Sequence, residues 1–176
     1  MSGDKPPATV LPDAGPLITL AYADSLDLLL KPGWPVEIVD MVLKEVTRNT
    51  TPTSQRIASW VVHHKLTVLT TNVGRHYEEA TAEALPVRKS SLVELAIQEA
   101  MNRFALHTPP KTGVFLFEDH KIARASFLLP DCCRKVSTRA FLLFLQQKNW
   151  ISSSIEIERR AIAAGRQFSQ LRFPPS

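Results

Sequence analysis

The 176-residue sequence lacks the features that mark membrane, secreted and nucleotide-binding proteins. No apolar run approaches the roughly 20 residues that a bilayer-spanning helix needs, and residues 1–7 carry no apolar signal core. No glycine-rich phosphate loop is present, which disfavours a nucleotide hydrolase of that class. These absences predict a cytoplasmic protein without membrane association, in which residues 1–7 form a disordered lead.

Cysteine and histidine are too few and too scattered to indicate a zinc site. The two cysteines, Cys132 and Cys133, are adjacent, so they make a poor structural disulfide and supply only half of a zinc site. The five histidines show no ligand spacing. We therefore expect both cysteines to be packed thiols on a strand, which fits a reducing compartment.

Charge is divided unevenly along a chain whose length favours one domain with its own core. Residues 1–119 hold 11 Lys and Arg against 14 Asp and Glu, a balance of −3. Residues 120–176 hold 10 against 3, a balance of +7. An acidic N-terminal part and a basic C-terminal part suit a carboxylate site beside a surface that attracts a phosphate chain. A solvated basic tail is the alternative interpretation.

The apolar pattern switches repeatedly between short strand-like runs and longer amphipathic stretches. Strands are predicted at residues 9–11, 36–39, 66–70, 114–117 and 134–136. Helices are predicted at 15–21, 26–30 (capped by Ser25), from 40 onward, and at 54–64, 91–105, 123–125, 138–148 and 153–164. Residues 72–88 are polar and receive no assignment. This alternation predicts a mostly parallel sheet covered on both faces, a three-layer α/β/α sandwich.

Three acids fall where such a fold places a site, and a fourth, Glu94, can join them if its helix starts at the same edge. Asp13 ends the first strand, Asp119 follows the strand at 114–117, Glu45 lies in the helix after the second strand, and Glu94 occupies a first helical turn. Ligands bind beyond the carboxyl ends of parallel strands, so we expect these acids at one edge. Gathered carboxylates need a cation, and hard oxygen ligands select Mg or Mn. The pattern predicts metal-assisted phosphodiester hydrolysis.

Each acid also has a structural interpretation. Asp13 and Asp119 suit helix N-caps, which are worth about 1 kcal/mol. Glu94 suits a capping box with Ser91, and Glu45 suits a solvated helix face.

Several segments, in their order along the chain, resemble the PIN-domain family. They are Val10–Leu20, Val42–Val46, Val93–Ile97 and Leu116–Arg124, and the tail from Leu142 to Ile151 resembles a bacterial, VapC-like toxin branch. The resemblance covers residues 8–170 and leaves 171–176 as a C-terminal tail. It implies a metal-dependent ribonuclease that acts on RNA, often as the toxin of a toxin–antitoxin pair, forming a homodimer and restrained by an antitoxin.

Carried over residue by residue, the resemblance implies that Asp13, Glu45, Glu94 and Asp119 bind one or two Mg or Mn ions. It also implies that Thr138 is a supporting hydroxyl. Glu99 is a rival to Glu94, but we expect it to point away from the strand ends. Arg124 and Arg139 are candidates for contacting RNA phosphate, with solvated helix surface as the alternative.

Some residues depart from the family's pattern. Pro12 precedes Asp13, and His120 stands where this branch often has a second Asp. These departures support a second hypothesis, a catalytically silent PIN-like module that binds RNA or a partner protein. A receiver-type phosphoacceptor domain, a third possibility, has no matching Lys after a late strand.

Overall fold

A computed structural model of the protein describes residues 8–87, 91–118 and 128–167. Its elements are, in order, β1 (Thr9–Pro12), α1 (Ala14–Tyr22), a 3₁₀ helix (Leu26–Leu30), β2 (Glu37–Val39), α2 (Asp40–Thr47), α3 (Pro52–His63), β3 (Thr67–Leu69), α4 (Asn72–Ala82), α5 (Leu92–Leu106), β4 (Gly113–Phe117), β5 (Cys133–Ser137), α6 (Thr138–Gln147) and α7 (Ser154–Ala163). The chain is α/β, as predicted. The predicted lead at 1–7, the helix at 123–125 and the tail at 171–176 lie outside the described residues. Across the three described ranges, no helix has the length and apolar character needed to cross a membrane.

The strands pair in parallel throughout. Strand β4 lies between β1 and β5, and β2 pairs with β3. A parallel bridge between Val10 and Val36 connects the two groups, and the N–H of Val10 donates to the carbonyl oxygen of Pro35 at 2.8 Å. The order across the sheet is therefore β3-β2-β1-β4-β5. The chain builds outward from β1 to β3 and then returns to place β4 and β5 on the other side of β1.

Both faces of the sheet are covered at its centre. Successive side chains of a strand point to opposite faces, yet neighbouring residues of the central strands are both buried: Val10 and Leu11, Ile38 and Val39, Phe115 and Leu116. A sheet with one solvated face would alternate buried and exposed side chains. The predicted parallel sheet with two covered faces is confirmed in this part of the fold.

Short polar signals set several helix starts. Thr51 and Ser54 form a reciprocal capping box at α3, with Pro52 in the first turn where its missing N–H costs nothing. Three further helices begin with a hydroxyl that accepts a backbone N–H, supplied by Thr71 at α4, Ser137 at α6 and Ser153 at α7. Helix α4 occupies most of the stretch that the sequence pattern left unassigned.

Two predicted caps are wrong. The hydroxyl of Ser25 donates to the carbonyl oxygen of Ala23 at 2.9 Å instead of capping the 3₁₀ helix. Ser91 has a left-handed backbone, with φ 82°, and makes no side-chain cap hydrogen bond. An N-cap residue normally needs an extended backbone to aim its side chain at the first turn. The capping box of Ser91 with Glu94 therefore does not form.

The prediction that both cysteines are packed thiols on a strand is confirmed for Cys133 and wrong for Cys132, which lies in the turn before the strand. Both are free thiols; Cys133 is buried as the first residue of β5, and Cys132 precedes it, half-buried. Their sulfur atoms lie 3.9 Å apart.

Candidate functional site

The carboxyl ends of β1 and β4 lie side by side where the strand order reverses. Pro12 pairs with Leu116, and the N–H of Asp13 donates to the carbonyl oxygen of Leu116 at 2.9 Å. Phe117 pairs in turn with Ser137, so Thr138 follows at the same edge. Ligand sites of open parallel sheets form beyond the carboxyl ends at such a reversal. We call the positions that follow β1, β4 and β5 here, namely Asp13, Glu118 and Thr138, the switch edge.

Asp13 is buried at this edge, with 5% of the residue exposed. It stands at the N-cap position of α1 with an extended backbone, but its side chain makes no cap hydrogen bond. Helix capping therefore does not explain this aspartate. Burying a carboxylate is costly unless hydrogen bonds or a cation compensate its charge. Asp13 has the location and the burial expected of a ligand-binding acid.

Thr138 is the first residue of α6 and only 4% exposed. Its Oγ1 is buried and finds no hydrogen-bond partner within the described residues. Leaving a buried hydroxyl unsatisfied costs about 1–3 kcal/mol, so such groups are rare in native proteins. The cap of α6 is supplied by Ser137, which leaves the Thr138 hydroxyl for another role. An oxygen-rich ligand at the switch edge would satisfy it.

Glu45 and Glu94 lie on α2 and α5, two helices that pack against each other. Glu45 is exposed as a residue, yet the protein around its carboxyl removes enough water to raise its pKa, which Arg48 partly opposes. Glu94 is half-buried in the first turn of α5. A cation beside the desolvated Glu45 would favour its charged form.

The predicted ligands do not form a complete metal cluster within the described ranges. No three His, Cys, Asp or Glu side chains among residues 8–87, 91–118 and 128–167 gather closely enough to hold a metal ion. Asp119, the fourth predicted ligand, follows Phe117 by two positions and lies outside these ranges, as does Arg124. Asp13, Glu45 and Glu94 alone therefore do not build a metal centre.

The acid next to Asp119 in the sequence has a structural role that the sequence analysis missed. Oε2 of Glu118 accepts hydrogen bonds from Oγ1 of Thr19 at 2.8 Å and from Nη2 of Arg166 at 3.2 Å. The sequence offered no local signal for this contact, because Arg166 and Glu118 lie 48 positions apart. Glu118 thus links the end of β4 to α1 and to the segment after α7.

Two further acids at the carboxyl edge of the sheet also hold the fold together. Asp40 begins α2 directly after β2 and accepts hydrogen bonds from both the N–H and the hydroxyl of Thr71. Glu99 accepts the N–H groups of Asn72 at 2.9 Å and Val73 at 3.2 Å, where α4 begins, and pairs with Arg103. The expectation that Glu99 points away from the strand ends is wrong, because it lies beside the residues that follow β3.

Arg139 is paired within the fold. Its Nε and Nη2 each donate to a carboxylate oxygen of Glu158 on α7 at 3.0 Å, and this pairing raises the pKa of the guanidinium. The Nε and Nη2 atoms of Arg139 are therefore engaged with Glu158, which links α6 to α7.

Comparison with protein-family models, with characterised proteins and with known structures finds no match. Any function must therefore be argued from the site itself.

Proposed function

We propose that this chain is a PIN-like, metal-dependent ribonuclease whose site lies at the switch edge. The observation that carries the proposal is the buried carboxylate of Asp13, which caps no helix and stands where the strand order reverses. The buried hydroxyl of Thr138 at the same edge supports it. Both groups suit a ligand that brings a cation and phosphate oxygens.

In this proposal Asp13, Glu45, Glu94 and Asp119 hold Mg or Mn. The donor set fits, because carboxylate oxygens without His or Cys select these ions over zinc. When bound, such an ion lowers the pKa of its water and neutralises charge on the phosphate. The Thr138 hydroxyl donates to a phosphate oxygen and orients it.

RNA as the substrate rests on the family resemblance and on the positive balance of residues 120–176. A positively charged segment would attract the phosphate chain, and an ion held by the acids would supply the Lewis-acid chemistry for cleavage. The homodimer and the antitoxin partner rest on the resemblance alone.

The first test is Mn²⁺ binding, measured by isothermal titration calorimetry on the full chain. We expect wild type to bind, and Asp13→Asn and Asp119→Asn to lose measurable binding while keeping the fold. Asp24→Asn is the matched control. Asp24 is exposed beyond the other end of α1, and its left-handed backbone, with φ 52°, tolerates asparagine. This control makes the same charge change away from the switch edge and is expected to bind like wild type.

The second test is cleavage of a labelled single-stranded RNA in the presence of Mn²⁺. Wild type and Asp24→Asn are expected to cut, and Asp13→Asn is not. Cleavage that persists in Asp13→Asn would remove that residue from the site. A folded wild type that neither binds Mn²⁺ nor cuts RNA would overturn the enzyme and favour the silent module, whose RNA affinity can be measured with the same label.

A further inference from the structure

Arg166 lies beyond the last helix, yet its guanidinium reaches the end of β4. Its Nε donates to Oγ1 of Thr19 at 2.9 Å, and its Nη2 donates to Oε2 of Glu118 at 3.2 Å. The Thr19 hydroxyl donates to the same Oε2 at 2.8 Å. These three hydrogen bonds form a closed triangle that links the segment after α7, the middle of α1 and the first residue after β4.

The turn that delivers Arg166 depends on Gly165. The N–H of Gly165 donates to Ile162 and the N–H of Arg166 donates to Ala161, which is the Schellman pattern of a helix end. Gly165 has φ +110°, a backbone conformation that side chains rarely adopt. This helix end places Arg166 where its side chain reaches Thr19 on α1 and Glu118 at the switch edge.

The triangle is largely shielded from water. The side chain of Arg166 is 18% exposed and that of Glu118 is 14% exposed, and Thr19 is buried. Gly15, two residues after Asp13, packs directly against Glu118, and a Cβ at position 15 would lie 2.9 Å from the Cβ of Glu118. Removing one partner of such an ion pair leaves a buried charge without compensation.

We propose that Arg166 is a positioning residue for the metal site, a role that rests on the proposed function. It holds the Glu118 carboxylate against Thr19 and so fixes the end of β4 relative to Asp13. Without Arg166, the Glu118 carboxylate loses its charged partner and keeps the hydrogen bond from Thr19. The end of β4 then also loses its link to the segment after α7.

Positioning and simple charge predict opposite results for Arg166→Met. Removing a positive charge near the site strengthens cation binding by itself. Losing the position of the end of β4 weakens cation binding. We expect a loss of about tenfold, which is the lower end of the losses seen when groups that orient metal ligands are removed. The direction of the change therefore separates the two roles.

The experiment is Mn²⁺ calorimetry on the full chain for wild type, Arg166→Met, Arg166→Lys and Arg160→Met. Arg160→Met is the matched control, because Arg160 also links α7 to a distant hydroxyl, donating to Oγ of Ser25 at 2.8 Å, but Ser25 lies beyond the other end of α1. We expect about tenfold weaker binding for Arg166→Met, a smaller loss for Arg166→Lys, and wild-type binding for Arg160→Met. Circular dichroism before titration establishes that each variant is folded.

The outcomes separate this role from the proposed function. A wild type that binds no Mn²⁺ overturns the proposed function and this role with it. In a second outcome, wild type binds Mn²⁺, Asp13→Asn abolishes this binding, and Arg166→Met leaves it unchanged or tightens it. This outcome overturns the positioning role of Arg166 and keeps the proposed function. If Arg166→Met does not fold, the double variant Glu118→Gln/Arg166→Met removes both charges of the pair. Weaker Mn²⁺ binding by the double variant supports the role, and wild-type affinity overturns it.

Discussion

The carboxylate of Asp40 holds Thr71 by two hydrogen bonds, from the N–H to Oδ2 at 2.7 Å and from the hydroxyl to Oδ1 at 2.8 Å. The hydroxyl of Thr71 also accepts the N–H of Gly74 at 2.9 Å and thereby caps α4. Asp40 follows β2 and Thr71 lies just beyond β3, so the pair ties together the carboxyl ends of two neighbouring strands. An acid at a strand end is here structural.

Thr71→Val is expected to lower the free energy of unfolding by about 2–3 kcal/mol. The substitution removes a helix cap and a hydrogen bond to a carboxylate, while it keeps the shape of the side chain. Thr81→Val is the control, because the exposed hydroxyl of Thr81 bonds within its own helix, to the carbonyl oxygen of Tyr77. Urea unfolding of both variants measures the difference. Equal losses of unfolding free energy in the two variants would show that the contact with Asp40 does not stabilise the protein.

Thr138→Val is expected to leave the free energy of unfolding unchanged or to raise it by about 1 kcal/mol, since it removes a buried hydroxyl that has no partner in the described part of the chain. Ser137→Ala, one residue earlier, is expected to lower the free energy of unfolding by about 1 kcal/mol, because Ser137 caps α6. Under the proposed function, Thr138→Val also slows metal-dependent RNA cleavage. If urea unfolding shows Thr138→Val to be as destabilising as Ser137→Ala, the hydroxyl serves the fold and not a ligand.

The pH dependence of stability is expected to change when Glu45 becomes glutamine. Desolvation raises the pKa of Glu45 above its ordinary value of 4.5. The folded state therefore favours the protonated carboxyl, and the stability from this group is present below 4.5 and lost as the pH rises through the raised pKa. Glu45→Gln should be more stable than wild type at neutral pH, with the difference vanishing in acid. Urea unfolding across this pH range measures it.

Glu99→Gln supplies the control of opposite sign. Burial acts to raise the pKa of Glu99, but the N–H groups of Asn72 and Val73 and the Arg103 guanidinium outweigh it and lower the pKa below 4.5. The stability from this group is present above 4.5 and lost as the pH falls through the lowered pKa. Glu99→Gln should be less stable than wild type at neutral pH. The same direction of change in both variants would contradict the two assignments.

The alternation of strands and helices was predictable because burial imprints a period on the sequence. The bounds of α6 and α7 agree with their predicted ranges to within a residue or two, since each helix buries one apolar stripe. Helix α4 was not assigned, and Gly74 is its only fully buried residue. Its half-buried residues Val73, Tyr77 and Ala80 recur at helical spacing, but the polar residues between them dominate the stretch and hide this short period.

The partners of the charged residues were not predictable, because they are distant in the chain. Arg166 meets Glu118 across 48 positions, and Glu99 meets Asn72 across 27. No local pattern encodes such a contact. The capping box of Ser91 with Glu94 failed for a related reason: its residues fit the motif, but the backbone at Ser91 is left-handed. The place of Asp13 directly after β1 was predictable, because the end of an apolar strand is itself a local signal.

Cys133 is expected to resist alkylation in the native protein. Burial first, and the neighbouring Cys132 second, raise the pKa of its thiol to about 12. The reactive species is the thiolate, which is scarce for Cys133 at mildly alkaline pH, and the sulfur is also shielded because the residue is buried.

Iodoacetamide labelling followed by mass spectrometry tests this expectation. Native wild type should take one label, at the half-buried Cys132, and the urea-unfolded chain should take two. Native Cys132→Ser should take none. A label on Cys133 in that variant would mean that the first residue of β5 opens to solvent, and that the strand beside the switch edge is less firmly packed than its burial indicates.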